Sequence, residues 1–163
     1  MLTMVAEGEI APFFSEKCVG DGADEFVLER KLDFGPVVLA FFPAAFSPPC
    51  EDEMQELSNL QKRLESSSGN VVGISTDSPF VLKAFRENRD IDFELVSDMS
   101  QRVSQSYDVN IDIPELGLYG VANRAIFVLD TEGKIVYKWF AEDPANQPDI
   151  SKIKGKVHSL KRH

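Results

Sequence analysis

A layered α/β sheet with helices on both faces is the architecture this sequence predicts. Three observations point there: short β-branched apolar runs, helix-period segments between them, and a strand hairpin followed by a closing helix. At 163 residues the chain is of the length of one ordinary domain, predicted over residues 1–163. With 43% apolar and 27% charged residues it has the composition of a globular protein that buries a core, not of a disordered or fibrous one.

The elements follow in order. Two short alternating stretches, Phe13 to Cys18 and Glu25 to Leu28, are split by Gly20-Asp-Gly22 and predict a peripheral N-terminal β-hairpin. Val37 to Phe42 is an unbroken apolar run bounded by Gly35-Pro36 and Pro43, the mark of a central strand buried on both faces. Glu53 to Leu64 places Met54, Leu57, Leu60, Gln61 and Leu64 at spacings of three and four, a helix that Ser66-Ser-Ser-Gly69 ends. Asn70 to Ser75 is the second core strand. Asp77-Ser-Pro-Phe80 sets a cap residue ahead of a first-turn proline and opens a helix through Val81, Ala84 and Phe85.

A third helix falls around Gln101 to Tyr107, and Ala125 to Asp130 is the third core strand. Gly133 to Phe140 follows the Asp130-Thr-Glu-Gly133 turn directly, so it pairs antiparallel with the strand before it. The last helix carries Ile150, Ile153, Val157 and Leu160 on one face, with Asp149 supporting its start. Gly155 weakens it by about 1 kcal/mol relative to alanine. The sum is a thioredoxin-like fold, a central mixed β-sheet flanked by helices.

Seventeen Lys and Arg against 27 Asp and Glu give a net charge of −10, which disfavours nucleic acid and anionic membrane surfaces as partners. Lys152, Lys154, Lys156, Lys161 and Arg162 collect at the end of the chain without an acid, where a helix C-terminus favours cations. The longest apolar run, Gly35 to Phe46, contains Pro43 and falls short of the about 20 residues a membrane span needs. No basic region followed by an apolar stretch opens the chain, so a cytoplasmic location is expected. Cys18 and Cys50 are too few for a disulfide framework. His158 and His163 both lie in the basic tail, so no metal site and no cofactor is expected.

The informative stretch runs from Phe41 to Glu53, from the end of a central strand to the start of a helix, where open α/β sheets place their sites. Cys50 follows Pro48-Pro49, and proline favours the first helical turn. The thiol is therefore expected where free backbone N–H groups and the positive end of the helix dipole converge, and its pKa is expected to fall. A lone cysteine is more often a buried small hydrophobe. Here two prolines, a hydroxyl and three flanking acids mark a loop-to-helix junction instead.

Pro43, Ser47 and Cys50 reproduce the pattern P-x-x-x-[ST]-x-x-C, and with the preceding Phe41-Phe42 they resemble the active-site signature of peroxiredoxins, the cysteine-dependent peroxidases. Ile74-Ser-Thr-Asp-Ser78, Phe93 to Asp98, Val103 to Tyr107 and Val121 to Asp130 resemble the later blocks of that family in order, so the likeness covers roughly residues 8 to 140. Within the family the chain is most similar to the alkyl hydroperoxide reductase E branch with its one-cysteine members, and next to the bacterioferritin-comigratory branch.

The resemblance implies an activity and roles. Cys50 matches the peroxidatic cysteine, whose thiolate attacks the O–O bond and becomes sulfenic acid. Ser47 matches the hydroxyl that contacts thiolate and peroxide, Pro43 the residue that shields the site, and Arg124 the arginine that stabilises thiolate and leaving oxygen. Taken singly, a serine in such a loop is turn chemistry and an arginine before a strand a surface ion-pair partner. Their joint pattern decides for the catalytic reading. Glu53 matches an acid seen in this branch, and a first-turn glutamate also stabilises any helix start, so its role stays open.

The implied partners are a peroxide and an external thiol reductant, whether thioredoxin-like, glutaredoxin-like or of low molecular weight, and the implied assembly is a homodimer. The chain also departs from the pattern. Gln55 stands where a helix resolving cysteine would be, no cysteine follows residue 50, Asp108 replaces a common glycine, and Val109 to Tyr119 matches nothing. A one-cysteine mechanism is expected, with Cys18 the only internal candidate for a second thiol. The competing readings are a thioredoxin-fold redox sensor or chaperone-like protein without efficient turnover, and a disulfide oxidoreductase, which the lack of a C-x-x-C pair disfavours.

Overall fold

The computed structural model describes residues 5–20, 22, 24–143 and 145–160. Asp21 of the expected hairpin turn, and Lys161, Arg162 and His163 of the basic tail, lie outside them. The strands are β1 (Ser15–Val19), β2 (Glu25–Val27), β3 (Val37–Phe41), β4 (Asn70–Ser75), β5 (Glu94–Ser97), β6 (Asn110–Ile113), β7 (Leu118–Ala122), β8 (Ala125–Leu129) and β9 (Ile135–Phe140). The helices are α1 (Leu28–Leu32), α2 (Pro48–Leu64), α3 (Pro79–Asn88), α4 (Arg102–Ser106) and α5 (Ile150–Ser159).

Seven strands form one sheet in the order β2-β1-β5-β4-β3-β8-β9, and β6 and β7 form a separate antiparallel pair. β3 pairs parallel with β4 and antiparallel with β8, and β4 pairs parallel with β5, so the sheet is mixed and β3 is central, as its apolar run predicts. The period of two sends Leu39 and Phe41 to one face and Val38, Ala40 and Phe42 to the other. Beneath the first face lie Leu28 and Leu32 of α1 and Val103 of α4. Covering the second are Met54, Leu57, Leu60 and Leu64 of α2, Leu82 and Phe85 of α3, and Ile153 and Val157 of α5. Burying strands on both faces is what a run without polar alternation requires.

The N-terminal hairpin lies at the edge of the main sheet, which it extends because β1 pairs antiparallel with β5. Three expectations need correction. β5 itself is only four residues and escaped its apolar pattern. α2 begins at Pro48, five residues earlier than its apolar period indicates, because its first turn is built from prolines and acids. In α3 the buried residues are Leu82 and Phe85, while Val81 and Ala84 are exposed. Ser78 caps that helix by accepting from Val81 N, and Asp149 caps α5 by accepting from Lys152 N.

The loop before β3 needs a glycine. Gly35 has φ +153°, and a Cβ there would stand 2.1 Å from the Ser68 carbonyl oxygen. That contact seats the end of α2 beside the start of β3, which fixes the helix over the sheet.

Candidate active site

Sheet and helix meet at residues 42–50, the connection from the C-terminal end of β3 to α2. Its backbone is held from the loop after β4: Asp77 Oδ2 accepts from Ala45 N at 2.8 Å and from Ser75 Oγ at 2.7 Å. Phe46 has φ +70°, a left-handed conformation that costs a bulky residue about 1–3 kcal/mol unless its surroundings impose it. They do: its ring meets Phe85 edge-on at 5.0 Å, and the Arg89 guanidinium lies 5.6 Å from its centroid. Arg89 is tied in turn to Glu51 in the first turn of α2 by an ion pair of 2.5 Å.

Pro48 and Pro49 occupy the first turn of α2, where the missing N–H groups cost nothing, and Cys50 comes next. The seventeen-residue helix therefore directs the positive end of its dipole at the thiol. Cys50 has no exposed surface. Its sulfur accepts a hydrogen bond from Arg124 Nη2 at 3.3 Å. The same guanidinium reaches Glu53, one turn further along α2, through Nη1 and Oε1 at 2.5 Å. Glu53 is fully buried and Arg124 is 1% exposed, so the bland expectation of a surface ion pair at Arg124 fails.

Burial pushes the Glu53 carboxyl up to about 7, against the opposing pull of Arg124. For Arg124 burial works against the charge, while Glu53 and then Cys50 more than restore it, so the guanidinium titrates above its ordinary value. The backbone of Arg124 is equally fixed. Its N–H donates to Asn123 Oδ1 at 2.8 Å, its carbonyl accepts from Ala141 N at 2.9 Å, and Asn123 Nδ2 donates to Ala141 O at 2.8 Å. A buried guanidinium aimed by its own backbone, with a thiol and a carboxylate on two arms, is preorganised to stabilise negative charge near the sulfur.

Beside this triad lies a cleft of about 260 Å³ with Pro43, Ser47, Pro49 and Arg124 on one side. The pair β6–β7 and the turn between its strands supply Ile113, Glu115, Leu116 and Leu118, and the segment after β9 supplies Asp143 and Ala145. Arg124 both lines the cleft and donates to Sγ of Cys50. All four expected residues thus converge. Ser47 differs in detail: its hydroxyl donates to the Ala44 carbonyl at 3.0 Å and does not cap α2. Sequence reasoning missed the grip of Glu53 on Arg124, the support from Asn123, and the whole β6–β7 wall. The adjacency of Asn123 to Arg124 and the match of Glu53 to an acid of the resembled branch carried what signal there was for these.

Cys18 sits elsewhere. It lies on β1 opposite Val96, buried in the core cluster on the other face of the sheet from Cys50. Burial first, then Glu94 and Asp24, push its thiol up to about 11, so it stays protonated near neutral pH.

Among the described residues no helix is long and apolar enough to cross a membrane, and no group of three or more His, Cys, Asp or Glu is placed to hold a metal ion. Residues 8–138 match the model of the AhpC/TSA family. The alkyl hydroperoxide reductase C of Staphylococcus haemolyticus is 33% identical over 133 residues, covering 78% of this chain and 67% of that protein. The solved structure of peroxidoxin BcpB from Mycobacterium tuberculosis superposes with a TM-score of 0.80 at 28% identity, over 94% of this chain and 97% of that one. The reduced 2-Cys peroxiredoxin of Plasmodium vivax has a TM-score of 0.84 at 23% identity, over 96% and 82% of the two chains, a likeness of fold. Motif, fold and matched length agree: the chain is a peroxiredoxin of the AhpC/TSA family.

Proposed function

We propose that Cys50 is the peroxidatic nucleophile through which this peroxiredoxin reduces hydrogen peroxide and organic hydroperoxides. Family membership makes the chain a thiol-dependent peroxidase with an antioxidant function. The observation that supports the assignment of its site is the 3.3 Å hydrogen bond from Arg124 Nη2 to Cys50 Sγ at the start of α2.

In the step this geometry serves, the Cys50 thiolate attacks the terminal oxygen of a hydroperoxide. An S–O bond forms and the O–O bond breaks. Sulfur is oxidised to sulfenic acid, and the leaving alkoxide or hydroxide takes up a proton to depart as alcohol or water. Negative charge moves from sulfur toward the leaving oxygen, and Arg124 has donors beside both the thiol and the cleft. Pro43 and Pro49 present apolar surface to the cleft and limit water at the sulfur. Ser47 rotates its hydroxyl from Ala44 to the incoming peroxide, one rotamer change at a half-buried side chain.

The regenerating thiol comes from outside the chain. The one-cysteine assignment, nearest the alkyl hydroperoxide reductase E branch, is supported by Gln55 at the helix resolving position and by the seating of Cys18 on the opposite face of the sheet. The activity belongs to a cytoplasmic homodimer in this reading, an assembly that the family resemblance supports. Stopped-flow mixing of reduced protein with peroxide, followed by Trp139 fluorescence, tests it. A second-order rate far above that of a free thiol, lost in Cys50→Ser and kept in Cys18→Ser, is the expected result. Equal rates in wild type and Cys50→Ser overturn it.

A further inference from the structure

The cleft beside Cys50 carries a charge pattern that breaking an O–O bond does not call for. Its far wall, from the β6–β7 pair, is apolar at Ile113, Leu116 and Leu118. Two exposed carboxylates, Glu115 and Asp143, come to the same lining from different segments. Asp143 Oδ1 accepts from Ala145 N at 2.9 Å, a loop contact that leaves the charge in place. No ion pair between described residues neutralises either acid. The cation in the lining is Arg124, and its charge is already shared between Glu53 and Cys50.

A ligand entering here meets an apolar wall and two uncompensated negative charges. Resting on the peroxidase reading of Cys50, we propose that Glu115 and Asp143 select the substrate by charge, so that the site takes uncharged apolar hydroperoxides and turns away those that carry a carboxylate. The apolar wall gives an alkyl or aryl substituent surface to bury. The acids act on the approach instead. Two like charges lining a partly wet cleft lower the encounter rate of an anion by about five- to tenfold at low ionic strength. Neither acid touches the reacting atoms, so both are specificity-determining residues and not catalytic ones.

The test pairs a short hydroperoxy-alkanoic acid with its methyl ester, two probes that differ in charge at nearly equal size. Second-order rates for both are measured at low and at high salt. The expected result is an ester-to-acid ratio of about five to ten in wild type at low salt, falling toward one as the Debye length shrinks. The ratio also falls toward one in the double variant Glu115→Gln/Asp143→Asn. It stays at the wild-type value in Glu132→Gln, which removes one acid at the opposite end of β8 and so controls for the net charge of −10. Equal rates for acid and ester in wild type overturn the proposal. So does a ratio that the double variant leaves intact, or that Glu132→Gln lowers equally. Cys50-independent consumption of both peroxides strikes the peroxidase reading itself, and is told apart by the Cys50→Ser control.

Discussion

Arg124 serves two partners, Glu53 and Cys50, from one planar fork, and the geometry of the site follows from that. A lysine supplies one compact charge and cannot hold Glu53 and Cys50 in fixed directions at once. Arg124→Lys is expected to slow peroxide reduction by about 10²-fold, the usual loss for a directed donor to developing charge. A thermal melt of the same variant separates this from unfolding, and wild-type rates in a folded Lys variant would withdraw the role. Glu53 makes a second prediction. Its carboxyl is raised from 4.5 to about 7 in the fold, so between those values the native state holds a proton that the unfolded chain has lost. Stability therefore falls as pH rises from about 4.5 through about 7, by on the order of 1 kcal/mol or more, and levels off above. Glu53→Gln removes that slope, which denaturant titrations at several pH values would show. That Pro43, Ser47 and Cys50 lie together was legible because a fixed spacing marks them, and Arg124 joined them through its place in a later block of the resemblance. The bond between Glu53 and Arg124 was not, because it joins side chains 71 residues apart and only the register of β3 against β8 brings them together.

At the scale of elements, legibility followed pattern length. β3, β4 and β8 were read correctly because each is a continuous apolar run buried on both faces. β5 and the β6–β7 pair were not: β5 is four residues long, and β6 buries only Ile113 well while exposing Asp112. A short strand with one buried residue carries no period, and side-chain bonds add to the backbone pairing of the two strands, from Asn110 Nδ2 to Gly120 O at 3.2 Å and from Gly120 N to Asp112 Oδ1 at 2.8 Å. This unmatched stretch lines the cleft beside Cys50, so the least readable element is one that borders the candidate site. α5 offers a cleaner case. Its Ile153 and Val157 pack against α2, and Gly155 faces outward with nothing within 4 Å of the position a Cβ would take. Gly155→Ala should stabilise the protein by about 0.5–1 kcal/mol, since the helical backbone is already suited to alanine and the unfolded chain loses freedom. In a thermal melt that is a rise of about 2–4 °C per kcal/mol. A lower melting temperature would mean that the helix end moves more than its packing indicates.

For the molecule as a whole, the question is what happens to oxidised Cys50. The sheet answers it. Cys18 on β1 stands in one row with Val96, Ile74 and Phe41, so three inter-strand steps separate β1 from β3. At about 4.8 Å per step that is roughly 14 Å, before the rise from the sheet to α2 is added. The side chains also enter different cores, Cys18 with Phe26 and Tyr107, Cys50 with Met54 and Leu57. A disulfide needs α-carbons within about 7 Å, so joining the two would require tearing β1 from β5 or unwinding the start of α2. The protonated state of Cys18, pushed up to about 11, removes its nucleophilicity as well. Cys50 sulfenic acid should therefore persist until an external thiol meets it, and excess peroxide should carry it to sulfinic and sulfonic acid. Intact-mass analysis of peroxide-treated protein without reductant decides between the outcomes. Gains in steps of about 16 Da agree with the oxidation ladder of an isolated thiol. A loss of about 2 Da, with a peptide linking Cys18 to Cys50, would show that the sheet opens far enough for an internal partner and would replace the one-cysteine mechanism with a two-cysteine one.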